Sequence, residues 1–160
     1  MNPDFIKYQA QTSPYPLGME VSHAIGSYIY DTNGKSYLDF VAGVSACTLG
    51  HQNQRVNDAI KAQLDKYSHV MVYGEYAQQP SVDFCKLLVQ HLPESLNQVY
   101  LVNSGTEATE GALKLARRIT GRSQLISCHN AYHGNTMGSM SVMGFEERKQ
   151  VFRPLIPDVE

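Results

Sequence analysis

The sequence predicts an α/β chain in which strands and helices alternate around part of a parallel sheet. Three stretches carry that expectation. "GSYIYDTNGKSYLDF" has the composition of a β-hairpin. "NQVYLVNSGTEATEGALKLARRITG" reads as a strand, a tight turn and an apolar-periodic helix. "SQLISCHN" reads as a further strand. A strand, a crossover helix and a second strand make a βαβ unit, which implies parallel strands with helices packed on them.

Taken in order, residues 1 to about 20 look irregular, because Pro3, Pro14 and Pro16 prevent a long helix. In the hairpin, Tyr28, Ile29 and Tyr30 on one side and Tyr37, Leu38 and Phe40 on the other flank Asn33-Gly34. An Asn-Gly pair between aromatic and β-branched runs is a strong short-range hairpin signal. "VAGVSACTLGH" is rich in small residues and reads as a loop or short crossing segment. Val56, Ala59, Ile60, Leu64 and Tyr67 then recur at helical spacing, as do Val82, Cys85, Leu88, Val89 and Leu92. Pro80 suits the first turn of that second helix, and Pro93 ends it. "NQVYLVN" has the apolar run of a buried strand, and a helix over 105–120 follows. The final stretch, "RKQVFRPLIPDVE", is extended and proline-containing. It reads either as a loose tail or as the edge of a truncation.

Composition bounds the function. The chain has 160 residues, 42% of them hydrophobic, which suffices for a domain with a core. Thirteen basic and fifteen acidic residues are well mixed, with a net charge of −2. This argues against nucleic-acid binding. The polar, proline-punctuated start lacks the apolar region of a signal peptide, and no stretch approaches a membrane span. Cys47, Cys85 and Cys128 are isolated and odd in number, as expected of reduced thiols in a cytoplasmic protein.

Two phosphate-loop readings fail. Gly34-Lys35-Ser36 would need a glycine at position 29, which is Ile29, and a helix afterwards, where a strand is expected. No Gly-x-Gly-x-x-Gly follows a strand. Cys128, His129 and His133 match no complete metal-ligand spacing, so no metal site is expected.

The turn before helix 105–120 is more informative. Ser104 to Glu107 forms a Ser-x-x-Glu capping box, which by itself is an ordinary helix start. Here it follows the C-terminal end of an expected parallel strand, where open α/β sheets bind their ligands. Gly105 removes a side chain where an anion would approach the backbone N–H groups, and Thr106 adds a hydroxyl. Ala108, Gly111, Ala112 and Ala116 would let the helix pack closely on the sheet. Past the next strand, Tyr132, His133 and Gly134 supply an aromatic ring and an imidazole. An anion cradle beside an aromatic lid suits a planar phosphorylated cofactor.

With those residues in view, the chain resembles the N-terminal part of the class III aminotransferases, the pyridoxal-phosphate enzymes of ornithine, acetylornithine and 4-aminobutyrate type. "GSYIYDTNGKSYLDFVAGVSACTLGH", "YLVNSGTEATEGALKLARRITGR", "AYHGNTMGSMSVMG" and "FRPLIPDV" carry the resemblance in family order. It implies the fold-type I transferase fold. Residues 1–50 would supply the N-terminal segment and hairpin of the small domain, and residues 51–160 the first part of the large, mostly parallel-sheet domain. Ser104, Gly105 and Thr106 would bind the cofactor phosphate. Tyr132 would stack on the pyridine ring, with His133 beside it. Val44, Ser45 and Asn135 would border the substrate. A homodimer is implied, with residues near Tyr73 to Tyr76 at the interface.

The resemblance also implies that the Schiff-base lysine lies downstream, so no catalytic residue is expected within this chain, and the chain alone is expected to be inactive. The complete enzyme would move an amino group from an amine or ω-amino acid to a 2-oxo acid. An aminomutase or lyase on the same scaffold, or a non-catalytic fragment, are the alternatives. One departure bears on substrate. The residue after the aromatic-x-Gly motif is an arginine in the acetylornithine, ornithine and 4-aminobutyrate enzymes, and here it is Asn135. An amide cannot replace a charged, bidentate fork.

Overall fold

The structure, a computed structural model, describes residues 1–71 and 73–160. They separate into two compact units, Met1–Tyr76 and Ala77–Glu160.

The first unit opens with a short helix, α1 (Pro3–Tyr8), within the stretch expected to be irregular. Pro3 is no obstacle there, because a first-turn residue needs no N–H partner. Asn2 caps the helix by accepting from the N–H groups of Asp4 and Phe5. Three strands follow: β1 (Val21–Ile25), β2 (Tyr28–Asp31) and β3 (Ser36–Leu38), antiparallel in the order β1-β2-β3. The expected hairpin is β2–β3, with Ile29 opposite Tyr37. Its turn is not the two-residue form. The Gly34 N–H donates to the Asp31 carbonyl, and the Asp31 N–H donates to Lys35. Gly34 takes a φ of 80°. That is a three-residue loop ending in a glycine bulge. Asp31 holds it, accepting from the N–H groups of Asn33 and Lys35 and from the Tyr37 hydroxyl. The segment after β3 contains a single helical turn, α2 (Ala42–Ser45), and returns to the sheet through mutual hydrogen bonds between Gly26 and His51. Helix α3 (Gln54–Leu64), capped by the Asn53 side chain, ends before Tyr67.

The second unit contains α4 (Gln79–Val89), α5 (Gly105–Thr120), α6 (Met137–Ser141) and α7 (Glu146–Lys149), closed by a 3₁₀ turn, Gln150–Phe152. Val82, Cys85, Leu88 and Val89 form the less exposed side of α4, as their spacing predicts. The buried core of the unit lies around α6, at Ser139, Met140, Ser141, Val142 and Met143.

Two expectations need correction at the level of single elements. Residues 97–103 form no ladder among the described residues, and the second expected strand is reduced to a parallel bridge between Leu125 and Val159. The Leu125 and Ser127 N–H groups donate to Asp158 and Glu160, and Glu160 donates back to Leu125. The chain's last residues are therefore paired with residues 125–127, not a loose tail. An apolar run reports burial, whereas a strand requires a partner at the right register, and strands joined by a crossover need not be neighbours. The small face of α5 also differs from expectation. Ala108, Ala112 and Ala116 are exposed, and only Gly111 is approached closely, by the Tyr100 ring.

Candidate functional site

The first turn of α5 is built as its sequence predicts, with one shift. Ser104 Oγ accepts from the Glu107 N–H at 3.2 Å. The Glu107 carboxylate reaches back to the N–H of Asn103 at 2.7 Å, one residue earlier than a standard capping box. The Ala108 N–H donates to the Ser104 carbonyl. Among the described residues this leaves the N–H groups of Gly105 and Thr106 without an acceptor in the chain. Two free donors at the positive end of a 16-residue helix form the anion-binding arrangement that helix geometry favours. A Cβ at Gly105 would meet nothing within 4 Å, so the approach is open.

The second turn meets the first. Gly134 is buried, has a φ of 124°, and lies so close to Thr106 that a Cβ there would overlap the threonine side chain. This contact joins Thr106 to the segment carrying Tyr132 and His133. Tyr132 is 55% exposed, His133 is half-buried and Asn135 is exposed.

A hydroxyl and carboxylate network fixes the junction. Thr106 Oγ1 lies 2.9 Å from Thr136 Oγ1 and 2.5 Å from Ser139 Oγ. The Thr106 hydroxyl is thus turned toward α6, while its N–H stays free. Glu110, one turn along α5, accepts through a single oxygen, Oε1, from the Thr136 hydroxyl and from the N–H groups of Gly138 (2.9 Å) and Ser139 (3.1 Å). The Thr136 hydrogen bond foremost, then those from Ser139 and Gly138, hold the Glu110 carboxyl below the usual glutamate range against the opposing effect of burial. At Gly138 a Cβ would strike Glu110, so the glycine is what lets the carboxylate reach the α6 backbone.

In the first unit, Val44 and Ser45 lie on α2, which winds left-handed. Ala42, Gly43, Val44 and Ser45 have φ values of 47°, 61°, 57° and 67°. For a non-glycine residue that costs about 1–2 kcal/mol each, and a β-branched valine there is a true outlier. Asp39 holds the entrance. Its Oδ1 accepts from the N–H groups of Val41 (3.1 Å) and Ala42 (2.8 Å), and its Oδ2 lies 2.7 Å from His51 Nε2. Hydrogen bonding from His51, then from the Ala42 N–H, lowers the Asp39 pKa. Val44 itself is 87% exposed. Strain of this kind persists where the surroundings over-determine it, and it gathers at functional positions.

Sequence reasoning passed over Glu110, Thr136, Ser139, Asp39 and His51. A signal existed for the first three. Thr136 and Ser139 stand at capping-box spacing, and Glu110 lies four residues after Thr106, on the same helix face. Nothing in the local pattern marked Asp39 or the left-handed turn. Among the described residues no three metal-ligating side chains gather, Cys128, His129 and His133 included. No described helix is long and apolar enough to cross a membrane.

Residues 8–160 match the family described as aminotransferase class-III. The chain belongs to that family. An acetylornithine aminotransferase from Methanopyrus kandleri is 37% identical over 155 residues, covering 96% of this chain and 39% of the relative. An uncharacterized aminotransferase of Bacillus subtilis, YodT, is 39% identical over 151 residues, covering 91% and 33%. Among solved structures, the adenosylmethionine-8-amino-7-oxononanoate aminotransferase of Methanocaldococcus jannaschii superposes with a TM-score of 0.90 at 31% identity, covering 98% of this chain and 38% of that one. The α/β fold is therefore that of the class-III aminotransferases, and this chain spans well under half the length of these relatives.

Proposed function

We propose that the complete protein transfers an amino group from an amine or ω-amino acid to a 2-oxo acid, with pyridoxal 5′-phosphate as cofactor. The observation that carries this reading is the junction itself: two free N–H groups at the start of α5, joined through the Thr106–Gly134 contact to the turn bearing Tyr132 and His133.

The residues present fit the cofactor. The Gly105 and Thr106 N–H groups would hold its phosphate, and Ser104, whose oxygen accepts from Glu107, keeps a hydroxyl hydrogen to donate. Tyr132 would stack on the ring, and His133 would hydrogen-bond beside it. The cofactor, when bound, supplies an electron sink for the carbon that exchanges its amino group. The chain's own contribution would be binding and orientation, with dipole and N–H donors at the phosphate and an aromatic surface over the ring; in the first unit, Val44 and Ser45 on their strained turn are proposed as substrate-contacting residues. Residues 1–50 would form part of a small domain, and 51–160 the beginning of the large one. The enzyme would be a cytoplasmic homodimer, with the exposed Tyr73 and Tyr76 near the subunit interface.

Asn135 stands where an arginine would grip a substrate carboxylate. The preferred donor would then be an amine without that carboxylate, or an acid held by another residue. Titration of the complete protein with pyridoxal phosphate, followed by absorbance, tests the cofactor. A donor screen against 2-oxo acids tests the reaction. Saturable cofactor binding and amino transfer are expected. A protein that binds no pyridoxal phosphate overturns the reading. Selective activity on N-acetylornithine with Asn135 intact overturns the substrate argument.

A further inference from the structure

We propose that Glu110 is a positioning residue that locks the phosphate-binding turn and the ring-bearing turn into one rigid unit, so that the cofactor meets a preformed site. This inference rests on the cofactor assignment above. Thr106 and Glu110 are one helical turn apart on α5, and both grip Thr136, the N-cap of α6, and Ser139 within it. Thr106 Oγ1 contacts Thr136 and Ser139 through their hydroxyls, while Glu110 Oε1 takes the Thr136 hydroxyl and the N–H groups of Gly138 and Ser139. Ser139 Oγ also accepts from the Thr136 N–H at 3.1 Å, closing the network.

The consequence is geometric. The segment 132–136 enters α6 directly, so fixing the start of α6 fixes the backbone that carries Tyr132 and His133. Fixing it to α5 sets that backbone against the Gly105 and Thr106 N–H groups. Ser139 is fully buried, so its hydroxyl and N–H must be satisfied within the protein, and Glu110 and Thr106 do this. Glu110 itself lies a turn behind the free N–H groups and has its oxygen committed to α6. It acts through other residues and does not itself touch the cofactor. A site whose two halves are held before binding does not spend affinity on ordering them.

All three hydrogen bonds fall on one oxygen, and that yields a discriminating test. An amide oxygen can stand where Oε1 stands, so Glu110→Gln keeps the geometry and loses the charge. Glu110→Ala loses both. In the protein at its full natural length, pyridoxal-phosphate affinity is measured by absorbance titration. Hydrogen exchange of amides 104–106 and 132–139 is followed in the cofactor-free form. Glu110→Ala should weaken binding about tenfold or more, the scale of one lost charge-assisted hydrogen bond. It should also speed exchange in both turns together, and Glu110→Gln should restore most of the affinity. Asp31→Ala, which loosens the hairpin of the other unit, serves as a control for general destabilisation and should leave the affinity unchanged.

If Glu110→Ala aggregates, Thr136→Val decides, since it removes the hydroxyl shared by Glu110 and Thr106. It should weaken binding and speed exchange in both turns. Unchanged affinity in whichever of these variants folds, or a loss no greater than in Asp31→Ala, overturns the proposal. Failure of the unmutated protein to bind pyridoxal phosphate instead overturns the cofactor assignment, which separates the two.

Discussion

Two glycines of the candidate site should respond in opposite ways to the same added methyl group. Gly134 is buried at φ 124°, and its missing Cβ is replaced in space by the Thr106 side chain, with Ser139 Oγ 2.8 Å away. Alanine there pays for an unfavourable backbone conformation, about 1–3 kcal/mol, and for overpacking against a fixed neighbour, about 1–3 kcal/mol. The sum is a large share of the roughly 5–15 kcal/mol that stabilises a typical protein. Gly105 has no such constraint: nothing lies within 4 Å of its Cβ position, and it begins α5. Gly105→Ala should change stability by no more than about 0.5 kcal/mol, yet it adds a methyl group beside the free N–H groups and should weaken pyridoxal-phosphate binding. Urea unfolding of the cofactor-free protein at constant slope gives the first quantity, and an absorbance titration gives the second. Equal stability losses in the two variants, or a Gly134→Ala protein as stable as the unmutated one, would refute the packing argument. An unchanged cofactor affinity in Gly105→Ala would refute the placement of the anion.

Ser104→Ala removes the cap from α5 and should cost about 1 kcal/mol, read as a lower urea midpoint; no change would mean that Glu107 alone secures the turn. Val44→Gly relieves a valine held at φ 57° while burying nothing less, since that side chain is exposed. It should raise stability by about 1 kcal/mol, and a loss would show that α2 is not strained. Because Glu110 has a lowered pKa in the folded state, its contribution is fully present above the ordinary glutamate value of about 4.3 and is lost as pH falls through the lower folded value. The stability advantage of the unmutated protein over Glu110→Gln should therefore shrink on acidification from neutral pH, and a difference that stays constant with pH would contradict it.

Local chemistry was legible wherever the chain acts over a few residues. Ser104 as the cap of α5, Asn33-Gly34 as a hairpin turn, Pro80 at the start of α4 and the half-buried stripe of that helix all follow from hydrogen bonds or side-chain spacing within one or two turns. The free N–H groups of Gly105 and Thr106 follow for the same reason, because they belong to consecutive residues at a capped helix start. What the sequence could not specify depends on partners distant along the chain. Residues 97–103 have the apolar character of a strand, but a ladder needs a second segment, and Leu125 finds its partner at Val159. Asp39 meets His51 across twelve positions, and Thr106 meets Ser139 across thirty-three.

The three longer helices α3, α4 and α5, the hairpin and the residue types gathered at the turns were thus readable from the chain alone, since propensity, capping and periodicity are local, whereas the short helices α1, α2, α6 and α7 were not. That Gly134 rests on Thr106, that Glu110 holds the start of α6 and that Asp39 meets His51 emerges only in the folded chain. Those outcomes follow from close packing and from the need of buried donors for acceptors, and both are met by whichever groups the folded chain brings within reach.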